Sequence, residues 1–182
     1  MKTYIALLRG INVGGHRKVP MADLRTLLEK LKFKNSSTYI QSGNIVFQSE
    51  ETDSILLESK LEQAIEKQFG FEVSVIVIEL NQYKKTATDN PYLKAKPAIE
   101  KLYITHFKTI PTSEGIEKLG EFDVGKDQYT IENQTAYLLY DEKVSVSKLT
   151  NNLLESKLKV VGTTRNWKTT LKLIEMGESI AQ

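Results

Sequence analysis

Hydrophobic periodicity along this chain changes in one order, and then runs through that order again. Residues 3–9 place Ile5 and Leu7 on one face and Tyr4, Ala6 and Leu8 on the other, as in a strand. Both faces are apolar, which marks a central strand covered on two sides. Met21, Leu24, Leu27, Leu28 and Leu31 then recur at helical spacing. Residues 38–41 and 44–48 read as a hairpin around Ser42-Gly43. Asp53 is placed to cap a second helix with the stripe Leu57, Leu61, Ala64, Ile65 and Phe69, and Gly70 is its natural stop. Val73, Val75 and Val77 alternate with Ser74, Ile76 and Ile78 in a fourth strand. Strand, helix, strand, strand, helix, strand is the split βαβ, ferredoxin-like plan.

The second pass begins with a strand over 101–107 and a short helix over 113–119. Residues 127–132 and 135–140 form a hairpin around Asn133-Gln134. A helix follows Ser145, with Leu149, Leu153 and Leu158 spaced for burial, and Lys159-Val160-Val161 supplies a short last strand. A final helix covers about 165–178 and buries Trp167, Leu171 and Ile174. The residues themselves do not repeat, so the duplication is one of pattern. Between the passes, Leu80 to Ile99 holds a short helix and then Pro91 and Pro97, which mark a boundary. The expected fold is α+β: two ferredoxin-like (βαββαβ) halves with antiparallel sheets, over 1–79 and 101–182, the second carrying an extra C-terminal helix. Residues 80–100 connect them.

A chain of 182 residues suffices for one domain or two small ones. It has no cysteine, which removes disulfides, thiolate nucleophiles and cysteine-ligated metals, and fits a reducing compartment. Arg9 and the glycines interrupt the first apolar run, so no signal peptide is read, and no apolar stretch reaches the roughly 18 residues of a membrane span. The expectation is a soluble cytoplasmic protein with no membrane partner. The net charge of +2 points to no partner by itself. Residues 143–172, however, carry seven Lys or Arg against the single acid Glu155, a basic stretch or a solvated helix face.

The polar residues gather in two places. Arg9-Gly10-Ile11-Asn12-Val13-Gly14-Gly15-His16-Arg17-Lys18 is a glycine-rich loop between a strand and a helix. Its glycines allow tight turning and exposed N–H groups, so beside Arg and Lys it reads as an anion cradle. In a 4-1-3-2 sheet the first and second strands run the same way. Arg9, Gly10, Asn12, Gly14 and Gly15 are therefore expected beside Gln41, Ser42, Gly43 and Asn44, a rim able to hold a phosphate or carboxylate. Ser-Gly-Asn is equally the composition of a plain hairpin turn. The second cluster runs from Gly162 to Thr170 and includes Thr164, Arg165, Asn166 and Trp167. There a threonine or Asn166 can cap the final helix, an arginine can attract an anion, and Trp167 either stacks on a ring or packs in the core. Whether the two clusters face each other depends on how the halves pack.

Sharper motifs fail. Gly10-x4-Gly15 opens like a P-loop, but His16-Arg17 stands where Lys-Ser or Lys-Thr is required. His106 sits in a strand pattern and reads as structural. His16 is then the only histidine to consider as an acid or base. Nothing pairs Ser42 with a base, and no His, Asp or Glu cluster has metal-ligand spacing. No metal and no cofactor are expected.

Four segments nonetheless resemble one family: Ala6–Gly15 (ALLRGINVGG), Thr38–Phe47 (TYIQSGNIVF), Asn90-Pro91-Tyr92 and Thr163–Trp167 (TTRNW). The chain is similar to members of the bacterial family called domain of unknown function 1697. Tyr92 stands where that family often has phenylalanine, and Lys168 where asparagine is common. The resemblance implies an α+β fold of ferredoxin-like halves and no assigned activity. It also implies that the glycine loop, the hairpin turn and the Arg-Asn-Trp stretch are shared features. Three functions follow as expectations. The first is binding of a small anionic ligand, a nucleotide or a phosphorylated or carboxylated metabolite, by Arg9, Asn12, Gln41, Ser42, Asn44, Arg165 and Asn166. The second is nucleic-acid binding, with Tyr4 and Phe47 on the strands where RNA-recognition motifs carry stacking aromatics. The third is a protein-interaction module using exposed strand edges to meet a partner or a second copy.

Overall fold

The computed structural model describes residues 1–181. The first pass comprises β1 (Lys2–Leu8), α1 (Met21–Lys30), β2 (Lys34–Tyr39), β3 (Asn44–Ser49), α2 (Ser54–Phe69) and β4 (Val75–Glu79). Helix α3 (Leu80–Thr88) and a short 3-10 turn over Pro91–Ala95 lead on. The second pass comprises β5 (Leu102–Phe107), α4 (Ser113–Gly120), β6 (Gln128–Glu132), β7 (Thr135–Leu139), α5 (Asn151–Leu158) and β8 (Gly162–Asn166), and α6 (Trp167–Ala181) closes the series. The strands form two antiparallel four-stranded sheets, ordered β2-β3-β1-β4 and β6-β7-β5-β8, the arrangement of ferredoxin-like halves.

Two compact units result, one of residues 1–85 with the chain from Lys172 onward, the other of residues 86–171. In the first unit, Tyr4, Ala6, Leu8, Ile45, Phe47, Val75 and Val77 face α1 and α2 and pack on Leu24, Leu28, Leu57, Leu61 and Ile65. The opposite face of the same sheet, Ile5, Leu7 and Val46, packs on Leu80 and Tyr83 of α3 and on Leu173, Ile174, Met176 and Ile180 of α6. Strand β1 is thus covered on both sides, as its two apolar faces require. The unit boundary differs from the expected grouping of 101–182. The last part of α6 belongs with the first sheet because Ile5, Leu7 and Val46 would otherwise be bare. Leu171, expected inside, is 46% exposed, and Leu173 takes the inward position.

The second unit packs Phe107, Ala136, Leu138 and Tyr140 against Leu119, Leu149, Leu154 and Leu158. Its last strand is not Lys159–Val161. Lys159 takes a left-handed φ of 56° and ends α5, and the strand that pairs with β5 is the polar Gly162–Asn166. Both units seal one sheet edge in the same way. Glu62 and Glu58 of α2 accept hydrogen bonds from the outward N–H groups of Val75 (2.8 Å) and Val77 (3.0 Å) on β4. On β8, Glu155 accepts from the Gly162 N–H at 2.8 Å, and Asn151 Nδ2 donates to the Gly162 carbonyl at 3.1 Å.

Candidate functional site

The sheet order brings the end of β1, the β2–β3 turn and the start of β4 to one rim of the first unit. Leu8 N donates to the Gly43 carbonyl at 2.8 Å, and Arg9 N donates to that of Ser74 at 2.9 Å. The neighbourhood expected of Arg9, Asn12 and Gln41–Asn44 is therefore present. What the loop does there differs from the expected cradle. Val13 and His16 bridge as an antiparallel pair, with His16 N donating to the Val13 carbonyl at 3.0 Å and Asn12 N to that of Arg17 at 3.1 Å. Gly14 and Gly15, at φ 58° and 79°, form the two-residue turn between them, the mirror-image type that suits a hairpin. The glycine loop is a miniature hairpin. Two of its amides close its own ladder, and Val13, His16, Arg17 and Lys18 are left exposed.

Asn12 fastens this hairpin. At a left-handed φ of 55°, its Nδ2 donates to the carbonyls of Val19 (3.0 Å) and Gln41 (2.8 Å), and its Oδ1 accepts from Val19 N (2.9 Å). One side chain ties the hairpin base, the approach to α1 and the β2–β3 turn together. Asn12→Ala is expected to cost about 1–3 kcal/mol, read in urea denaturation, because it leaves three backbone groups to find water. A loss within experimental error would show that these bonds hold nothing. Asn44 is similarly structural: fully buried, it donates to the Tyr39 carbonyl and to Ser42 Oγ, both at 3.0 Å. Gly43, at φ 78°, is pressed against Leu8 and Ile11.

A groove of about 400 Å³ remains at the rim, lined by Asn12, Gly15, Lys18, Val19, Pro20, Met21 and Gln41. Helix α1 starts here. Pro20 occupies its N-cap position and offers no side-chain hydrogen bond to the first amides, which carry the positive end of the helix dipole. Of the expected residues, Asn12, Gly15 and Gln41 line the groove. Arg9 is half-buried and Gly10 exposed at the rim. Lys18, read only as part of the basic loop, Met21, read only as part of the first helix's apolar stripe, and Pro20 are not among the residues expected to bind. The one signal for them is a lysine two residues before a proline that starts a helix.

The second cluster is built into the sheet of the second unit. Thr164 Oγ1 contacts Thr105 Oγ1 at 2.7 Å and donates to Asn151 Oδ1 at 2.9 Å. Arg165 is only 6% exposed, and its Nη1 donates to Thr163 Oγ1 (2.7 Å) and the Thr164 carbonyl (2.9 Å). Asn166 Oδ1 accepts from Thr169 N at 2.8 Å and so caps α6 as its residue type allows. Trp167 is buried. Arg165 is therefore a buried strand residue, not a cation at an open helix end. His106, on the neighbouring strand, is held neutral: burial, and then the Arg165 charge, pull it down to about 3. Burial likewise pushes the Tyr137 hydroxyl up to about 12. Tyr4 and Phe47 are no stacking platform, because both lie inside the first core with ring centroids 5.6 Å apart. Among the described residues no three His, Cys, Asp or Glu side chains gather as a metal site, and no helix is long and apolar enough to cross a membrane.

Two ferredoxin-like units with antiparallel sheets, one carrying a stapled hairpin beside a shallow groove, define the class as a duplicated α+β protein. The chain belongs to the family described as protein of unknown function, DUF1697, whose family model matches residues 1–137. A conserved bacterial protein from Streptococcus pneumoniae has a similar solved structure, with a TM-score of 0.76 and 24% identity over 96% of this chain and 98% of that one. That likeness is one of fold. No curated protein matches the chain.

Proposed function

We propose that the first unit binds a small anionic metabolite, bearing a phosphate or a carboxylate, in the groove between the hairpin base and α1. One observation carries the reading: a groove of about 400 Å³ brings Lys18 and Gln41 to a helix start that has no side-chain cap. Free amides at a helix N-terminus and a nearby ammonium are what such a ligand needs. Asn12 shapes the groove; its amide is already engaged. Thr164 and Arg165 are engaged within their own sheet, Asn166 caps α6 and Trp167 is buried, so none of them is assigned to the ligand. Asp23, the acid in the first turn of α1, limits the affinity by lowering the local potential.

The test is thermal denaturation of the purified chain against inorganic phosphate, sugar phosphates, nucleotides and dicarboxylates. A ligand present at ~100 times its dissociation constant is expected to add about 2.7 kcal/mol. Lys18→Ala is expected to weaken the hit roughly fivefold, and Asp23→Asn to strengthen it, since a nearby charge contributes about 1 kcal/mol. A panel without a hit, or a hit that both substitutions leave unchanged, rejects the groove.

A further inference from the structure

Four strands form the sheet edges: β2 and β4 in the first unit, β6 and β8 in the second. An open edge presents N–H and C=O groups to any chain that can pair with it. Three of the four are blunted. The outward backbone of β4 is met by Glu58 and Glu62, and that of β8 by Glu155 and Asn151. Strand β2 carries a register shift between Lys34 and Ser37, with Asn35 at a left-handed φ of 49°. Strand β6 has no such device. It pairs with β7 without a break from Gln128 opposite Leu139 to Glu132 opposite Thr135, and it contains no proline, glycine or lysine.

The ladder fixes which groups face out. Phe107 N donates to the Gln134 carbonyl beyond the His106–Thr135 pair, so Thr135 turns its own backbone groups toward β6. Glu132, Thr130 and Gln128 then bond to β7, and alternation leaves the N–H and C=O of Tyr129 and Ile131 pointing away from the sheet.

We propose that β6 pairs antiparallel with β6 of a second copy of this chain, centred on Thr130. In that register Tyr129 meets Ile131 of the second copy, outward backbone against outward backbone, and Gln128 meets Glu132 of the second copy. All five residues overlap. A slip of one residue would set Tyr129 against Thr130, whose backbone is engaged with β7. The side-chain pairs are an aromatic with a β-branched residue, threonine with threonine, and amide with carboxylate. No like charges stand opposite. Two four-stranded sheets become one of eight strands.

Sedimentation equilibrium of the full chain over a range of concentrations tests this. A monomer–dimer equilibrium is expected, with slowed amide exchange at Tyr129 and Ile131 as concentration rises. Gln128→Lys places a lysine opposite Glu132 twice by symmetry and is expected to tighten the dimer roughly threefold or more. Adding Glu132→Lys sets lysine against lysine and is expected to abolish it. Both side chains are exposed, so circular dichroism should show an intact fold. A monomer at every concentration overturns the proposal. So does a dimer that neither substitution alters, since it would use another surface.

Discussion

Gly43→Ala is expected to destabilise the chain by more than about 3 kcal/mol, a large share of the roughly 5–15 kcal/mol that keeps an ordinary domain folded. Two costs combine. The residue sits at φ +78°, a left-handed conformation that costs an L side chain roughly 1–2 kcal/mol. The added Cβ would also lie 2.5 Å from Leu8 Cβ, closer than such atoms come, and 3.0 Å from Ile11 Cδ1, which would have to give way. Leu8 cannot retreat, because its N–H is bonded to the Gly43 carbonyl and its side chain is fully buried. Gly10→Ala isolates the first cost: φ is +65°, but the nearest atom, Arg17 Nη1, is 3.8 Å away. That variant should lose only the first cost, roughly 1–2 kcal/mol. Urea denaturation of the pair decides the matter, and equal, mild losses would mean that the turn shifts freely.

Mild acid is expected to weaken the protein through His106. The imidazole is buried beside Arg165 and its pKa falls from 6.5 to about 3. Between those values the unfolded chain binds a proton that the folded chain does not, so stability rises with pH through this window and falls as acid is added. Each pH unit below 6.5 therefore costs up to about 1.4 kcal/mol from this one group. Carboxylates titrate in part of the same range, so the informative quantity is the difference between the native chain and His106→Gln. The variant is expected to start less stable at neutral pH and to lose less on the way to pH 4. Parallel stability–pH curves would place the acid sensitivity elsewhere.

The fold was legible where local chemistry and tertiary role agree. Asp53 accepts from Ile55 N at 2.8 Å, Gly70 takes φ 80°, and α2 lies between them as the residues announce. The last strand was not legible. Gly162–Asn166 lacks the alternation of a half-buried strand, and two neighbouring valines drew the reading to Lys159–Val161. Its polar residues make sense only once Asn151, Glu155 and Thr105 are seen beside it. The rim was legible as a place but not in its chemistry. Strand order brought Asn12 to Gln41, whereas the pairing of Val13 with His16 has no alternating apolar flanks to announce it. The same backbone bonds recur in the second unit, Phe107 to Gln134 and Lys108 to Val161, yet with residues that share no motif with Leu8, Gly43, Arg9 and Ser74. Duplication here lives in the hydrogen-bond plan, which sequence comparison of the two halves does not see.

Helix α6 supplies part of the first unit from the far end of the described chain, and this orders events during synthesis. All four strands of the first sheet have been translated by residue 79, and those of the second by residue 166. Until Leu173, Ile174, Met176 and Ile180 have left the ribosome, Ile5, Leu7 and Val46 lack half of their cover. The unit whose sheet is made first is thus completed last, and for most of translation its apolar face is the nascent chain's surface for chaperones to shield.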